Sequence, residues 1–443
     1  MNPGIGMLAA LLATAAFLTA PPVPAQDAPS PTAIATRLLD RMNAGEYAQA
    51  ESMFTAEMAK AVPAAKLKAV WESLPAQAGT AKGRGDPTVD TQGGTTLVTV
   101  PLPYEKTGLV AKVAVAADGR ISGFLIQPAP PPAPAPPADD AGFSERDFGI
   151  GTGDRALPGT LAIPKGEPPS AGWPTVVLVH GSGPHDRDET IGPNRPFLDI
   201  ARGLAAQGIA VLRYEKRTQA RPQDFAERAY TIDDETTDDA VAAIAALRAT
   251  EGVDPKRVFV FGHSQGGMLA PRIALKAGDV AGLVLFAAPA RPLLDILIEQ
   301  NVRMAVLGDG KTSDAERAAI ERLKLQVQTA RKDGDAAADA LPMGLPASYW
   351  RSTDAVDPVV EAREAKLPML VLQGARDIQV VDADWQRWRA GFHDDPKVAF
   401  KLYEKLNHLG IAGEGEGSLA EYGTPGQLDA QLIADVAGWI EAH

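Results

Sequence analysis

The 443-residue sequence contains no cysteine. That absence excludes disulfides, thiolate metal sites, a cysteine nucleophile and a lipid-modified N-terminal cysteine. Histidine is scarce, with six in the chain and no His-Glu-x-x-His, so no metal is expected. Neither a Gly-x-Gly-x-x-Gly fingerprint nor a Walker sequence occurs, and no organic cofactor is expected. Positive charge is in deficit: 43 Lys and Arg stand against 56 Asp and Glu, a net charge of −13. Such a chain is a poor partner for nucleic acid or anionic lipid, both of which select basic patches. Long apolar runs are missing too. The run at residues 7–18, MLAALLATAAFL, is too short to span a bilayer, which needs about 20 residues. Its N-terminal place, and Val23 and Ala25 ahead of Gln26, fit a secretory signal over residues 1–25 cleaved after Ala25, although no Lys or Arg precedes the run. The expectation is an exported protein, periplasmic or secreted, with no stable membrane anchor.

What is present divides the chain. Residues 128–137 read PAPPPAPAPP, with seven prolines in ten. Such a run extends as polyproline II at ~3.1 Å per residue, so 128–141 is expected to be a semi-rigid linker. Before it, residues 30–127 start with helical spacing (Ile34, Leu38, Leu39, Met42) and change to strands from Thr95, with Asp118-Gly119 as a hairpin signal. This predicts a small α+β domain of helices followed by an antiparallel sheet, and it looks like the curved-sheet cone of the nuclear-transport-factor type. After the linker, over 142–443, continuous apolar strands alternate with helices, as in VVLVHG, IAVLRYE, RVFVFGHS, GLVLFAAP, PMLVLQGARD and VAFKLYEKLNH. That pattern predicts an α/β fold, a doubly wound and mostly parallel sheet covered on both faces. Residues of about 290–365 exceed one crossover helix, and a helical cap is expected there.

The chemistry centres on Gly262-His263-Ser264-Gln265-Gly266, a G-x-S-x-G that follows the apolar strand VFVF and precedes an Ala/Leu-rich helix. Strand, tight turn and helix in that order form a nucleophile elbow, which presents a serine hydroxyl above the sheet. A serine needs a base, and the base needs a carboxylate to orient it. His408 ends the last apolar strand at the edge where ligands of α/β sheets collect, so it is the candidate base, with His393 a weaker rival. Asp377, after MLVL and a glycine turn, is the candidate acid; Asp382 and Asp384 are alternatives. Backbone N–H groups of Gln265 and of Ser182, in the loop His180-Gly181-Ser182-Gly183, are the expected oxyanion donors, with Gly183 the alternative to Ser182. In the cap, Met343, Leu345, Tyr349 and Trp350 suggest an apolar acyl pocket. The charged run PHDRDE (184–189) is read as ion pairs and caps that fix its loop. GEGEG (413–417) is read as a flexible loop.

HGSGPHDRDE, GHSQGG, GARD and LNH resemble the α/β-hydrolase superfamily, in its esterase and serine-aminopeptidase-like branch, over roughly residues 145–443. The resemblance implies an acyl-enzyme on Ser264, His408 as base and then acid, Asp377 fixing its tautomer, and no metal or organic cofactor. The expected function is a serine hydrolase cleaving carboxylic esters, with a small-molecule ester or amide as substrate. An exopeptidase or amidase is the alternative and would need a carboxylate to hold a substrate amine, for which Asp295, Glu299 and Asp354 of the cap are candidates. A non-catalytic binding protein is the third reading, weakened by the completeness of the site.

Overall fold

The computed structural model describes residues 29–443 except 93–94, 131, 226–228, 308–309, 333 and 335. The expected signal segment at 1–25 lies outside the described residues. The chain divides into two compact units that meet at residues 129 and 130.

The first unit opens with four helices, α1 (Pro31–Asn43), α2 (Tyr47–Glu51), α3 (Ala56–Ala61) and α4 (Ala64–Ala78). Helix α1 starts at Pro31 because Ser30 accepts the Ala33 N–H and proline already holds a helical φ. Four strands follow, β1 (Thr88–Gln92), β2 (Thr95–Pro103), β3 (Gly108–Val115) and β4 (Ile121–Pro128), paired in that order as an antiparallel meander. The β3–β4 turn is made at Asp118, whose carboxylate accepts the Arg120 N–H, and at Gly119, with φ +79°. The core joins the helices (Leu38, Leu39, Met42, Leu67) and Phe54 of the α2–α3 connection to one sheet face (Val98, Val100, Val113, Ile121). Sequence patterning missed β1, whose TVDTQ has no apolar alternation.

The second unit carries an eight-stranded sheet. Its strands are β5 (Phe143–Asp147), β6 (Gly159–Pro164), β7 (Trp173–Val179), β8 (Ala210–Tyr214), β9 (Val253–His263), β10 (Gly282–Phe286), β11 (Met369–Gly374) and β12 (Val398–Tyr403), in the order β12-β11-β10-β9-β7-β8-β6-β5. Six neighbours from β12 to β8 run parallel, and β6 and β5 close the far edge antiparallel. Successive residues of each central strand enter opposite cores. Val177, Val179, Val258, Val260, Leu283 and Leu285 face α7 (Asp238–Arg248) and α8 (Gln265–Ala277). Val176, Leu178, Phe259, Phe261, Val284 and Phe286 face α5 (Pro196–Ala205) and α14 (Ala430–Glu441). A sheet buried on both faces is why these strands read as unbroken apolar runs.

Between β10 and β11 lie α9 (Leu293–Leu307), α10 (Asp314–Ala330), α11 (Ala347–Asp354) and α12 (Pro358–Ala365). Helix α12 packs on α8, tied by Glu361 to Arg272 at 3.1 Å, so it is the crossover helix of the sheet. The added structure is therefore α9 to α11. The proline run is not a free spacer along its length: the Pro132 carbonyl accepts from Arg195, and the Ala135 carbonyl accepts from Arg202 Nη2 at 2.8 Å, both arginines flanking or lying on α5.

Leu38 is fully buried at the centre of the first unit's core. Leu38→Ala is expected to destabilise that unit by about 2–5 kcal/mol, seen as a lower urea midpoint; an unchanged midpoint would contradict the core assignment.

Candidate active site

Strand β9 ends at His263 and α8 begins at Gln265, so Ser264 alone makes the turn. Its backbone sits at φ +53°, ψ −121°, a region costly for any residue with a Cβ, by about 1–3 kcal/mol. The glycines around it are demanded by space. A Cβ on Gly262 would lie 2.3 Å from the Gly266 carbonyl oxygen, and one on Gly266 would lie 2.1 Å from the Val179 carbonyl oxygen. The Ser264 N–H donates to Phe286 O at 2.9 Å, which fixes the turn to β10. The N-terminus of α8 follows immediately, and its dipole favours negative charge there.

His408 and Asp377 come together from the loops after β12 and β11. His408 Nδ1 lies 2.8 Å from Asp377 Oδ2, and both side chains are buried. The other carboxylate oxygen accepts the N–H groups of Gln379 (2.8 Å) and Val380 (3.0 Å), and Gln373 Nε2 also reaches Oδ2 at 3.2 Å. A carboxylate held by these donors only accepts, so the proton between the pair belongs to His408 Nδ1. In the neutral ring Nε2 is then left as the proton acceptor. The alternatives weighed from sequence are engaged elsewhere. Asp384 is buried under Arg291 and the Ala290 N–H, Asp382 is exposed at the start of α13 (Asp382–Phe392), and His393 is exposed beside Asp394.

Ser264, Ser182 and Gln265 line one cavity of about 310 Å³, together with Met343, Leu345, Tyr349 and Trp350. Met343 is 68% exposed and forms the rim, whereas Tyr349 and Trp350 are buried. Leu293 and Leu297 of α9 add apolar wall. Polar lining comes from Thr218, Tyr230 and Glu235 among others. Asp295, Glu299 and Asp354 are not on this wall. Asp295 and Asp354 pair with Arg331, and Glu299 pairs with Arg291 and Arg303.

Sequence reasoning assigns Glu189 to loop-fixing ion pairs and caps but does not find its partners. Glu189, buried at φ +51°, accepts the Gly181 N–H at 2.7 Å and His263 Nδ1 at 2.8 Å. His263 Nε2 faces the His408 carbonyl at 2.9 Å. Both ring nitrogens thus meet acceptors, and the ring is an imidazolium. Burial alone would raise the Glu189 carboxyl, but His263 holds it well below the usual carboxylate range. Burial alone would lower His263, and Glu189 more than offsets this, so its pKa is raised. Other charges of 184–189 are paired with residues outside the run: Arg187 with Glu215 at 2.8 Å, Asp188 with Arg213, and Asp186 with the Thr190 N–H at 2.9 Å. GEGEG is not loose. The carbonyls of Glu414, Gly415 and Glu416 accept from the Arg376 guanidinium, and a Cβ on Gly413 would fall 2.2 Å from it. Among the described residues no cluster of His, Cys, Asp or Glu is arranged to hold a metal.

The Glu189–His263 pair gives a pH-dependent stability. The lowered carboxyl contributes above its unfolded pKa of about 4.3, and that share is lost as pH falls through the folded value. The raised imidazole contributes below its unfolded pKa of about 6.5, and that share is lost as pH rises through the folded value. Glu189→Gln is therefore expected to cost most, about 3 kcal/mol, near pH 5–6.5. Urea midpoints across pH check this, and a cost independent of pH would contradict it.

The family described as serine aminopeptidase S33 matches residues 174–414. A family described as a protein of unknown function (DUF3887) matches residues 35–124. Esterase EstD of Thermotoga maritima is 35% identical over 376 residues, covering 84% of this chain and 86% of that protein. Among solved structures, the Pyrococcus furiosus esterase Pf2001 is 16% identical with a TM-score of 0.42, covering 71% of this chain and 97% of that one. A Mycobacterium tuberculosis puromycin-hydrolyzing peptidase is 17% identical with a TM-score of 0.45, covering 80% and 47%. From the span of the family match and the likeness to EstD, the chain belongs to the serine aminopeptidase S33 family of α/β-hydrolases and is an enzyme, a hydrolase of the esterase type.

Proposed function

We propose that the protein is a serine carboxylesterase working through an acyl-enzyme, with Ser264, His408 and Asp377 as its triad. The observation that carries this is the Asp377–His408 bond, which engages His408 Nδ1 and makes Nε2 the acceptor of the neutral ring, in the same unit as a strained serine on the wall of a cavity. Ser264 Oγ attacks the ester carbonyl carbon and its proton passes to His408 Nε2. The carbonyl oxygen becomes an oxyanion facing the N–H groups of Ser182 and Gln265. The carbon–oxygen bond to the alcohol then breaks, and His408 returns the proton to the departing alkoxide. Water, deprotonated by His408, then attacks the acyl carbon, the bond to Ser264 Oγ breaks, and His408 returns the proton to Oγ, releasing the carboxylic acid and the free serine.

The cavity favours an ester over a peptide with a free amino terminus. An aminopeptidase needs a carboxylate free to bind the substrate amine. Among the residues lining the cavity Glu235 is the carboxylate, and it is paired with Lys216 at 3.2 Å. The cap carboxylates are occupied by arginines. The size, about 310 Å³, and the walls of Leu293, Leu297, Leu345 and Trp350 suit a short, mostly apolar acyl group.

Export belongs to the same proposal. Its support is the apolar run at 7–18 and the small residues Val23 and Ala25. The exported protein is expected to begin at Gln26 by N-terminal sequencing; an exported form that still begins at Met1 would contradict it. For the chemistry, Ser264→Ala is expected to keep the wild-type circular dichroism and lose turnover of p-nitrophenyl acetate at least about 10³-fold. Wild-type turnover in that folded variant would overturn the reading. Aminoacyl p-nitroanilides are expected to be poorer substrates than short-chain esters in kcat/KM.

A further inference from the structure

We propose that Lys216, held by Glu235, is a positioning residue that aims the oxyanion-hole peptide. Lys216 stands just past β8 and is 2% exposed, an unusual place for an ammonium. Its ammonium meets Glu235 Oε1 at 3.2 Å and donates to the backbone carbonyl of Gly181 at 2.8 Å. Glu235 itself is buried in a π-helical turn, Asp233–Thr237, and lines the cavity. The carbonyl that Lys216 grips belongs to the Gly181–Ser182 peptide, and a trans peptide is planar. Its N–H, that of Ser182, therefore points directly away from Lys216. The preceding peptide is gripped as well, since the Gly181 N–H donates to Glu189. The segment lies against the nucleophile: a Cβ on Gly181 would be 3.3 Å from Ser264 Cβ.

Two effects follow. The charge-assisted bond fixes the rotation of a glycine-rich loop that would otherwise be free to turn. It also withdraws electrons from the carbonyl, which makes the Ser182 N–H a stronger donor to developing negative charge. Glu235 balances the ammonium, so the cavity gains an oriented dipole without net charge. The assignment builds on the acyl-enzyme reading above, in which Ser182 N–H meets the oxyanion.

The test compares wild type with Lys216→Met and with Lys216→Met/Glu235→Gln. The double variant guards against the single one failing to fold, because removing both members of a buried pair is far milder than stranding one. Deleting an oxyanion donor outright costs about 10²–10³-fold in kcat, so misaiming one is expected to cost about 10–100-fold. The KM for p-nitrophenyl acetate should move less than about threefold, since the ground state uses the donor weakly. A short alkyl boronic acid supplies the second readout. Ser264 Oγ bonds to its boron and passes its proton to His408, giving a tetrahedral adduct with oxygen in the hole. Its inhibition constant should rise by the same factor as kcat falls. A folded double variant with kcat and boronate affinity within about twofold of wild type would overturn the role of Lys216 alone. A wild-type enzyme that forms no boronate adduct on Ser264 would overturn the acyl-enzyme reading, and this proposal with it.

Discussion

The catalytic unit is organised around a backbone conformation that a residue with a side chain resists. Ser264 is held at φ +53° between a buried strand and a helix. It stays there because every neighbour leaves it no other place. Gly262 and Gly266 permit backbone contacts that any side chain would block, Phe286 O takes the Ser264 N–H, and two apolar cores clamp β9 between β7 and β10. The strain is small beside the burial of Phe259, Phe261, Val258 and Val260, which would be lost if the turn relaxed.

Around that turn the protein spends buried charge on geometry. Glu189 joins the loop after β7 to the elbow through Gly181 and His263, and His263 carries the connection to the backbone of His408. Arg376 gathers the loop after His408 onto the residue next to Asp377. Buried ion pairs add little net stability against an apolar core. Their value here is directional, because three loops from three strand ends are held in register by bonds that tolerate one arrangement.

Much of this was legible in the sequence, for physical reasons. Ser264 is marked by glycines that sterics require, directly after an apolar strand. Asp377 and His408 each lie in the loop after such a strand, and the structure brings them to 2.8 Å. The central strands read clearly because both their faces are buried. The edge strand β5 and its neighbour β6 did not. FSERD is a solvent-edge strand whose Glu145 serves Arg202 and Arg213 rather than an apolar face. The π-helical turn at Asp233–Thr237 carries no local signal, since its acids and threonines suit an ordinary helix start equally well. Glu189 reads correctly as a loop-fixing charge, but its partner, and the roles of Lys216, His263 and Arg376, lie in residues far along the chain. Local periodicity has no term for a glutamate that meets a histidine from another strand end. The GEGEG loop was misjudged for the same reason: glycine signalled freedom, whereas here it makes room for a guanidinium.

The central claim is that an ester's acyl group passes through a covalent bond to Ser264. Rapid acid quench during turnover of a slowly deacylated p-nitrophenyl ester, followed by intact and peptide mass spectrometry, tests it directly. The account predicts a mass increase equal to the acyl group less one hydrogen, located on the peptide that carries Ser264. Turnover with an unmodified chain, or with the acyl group on any other residue, would contradict it.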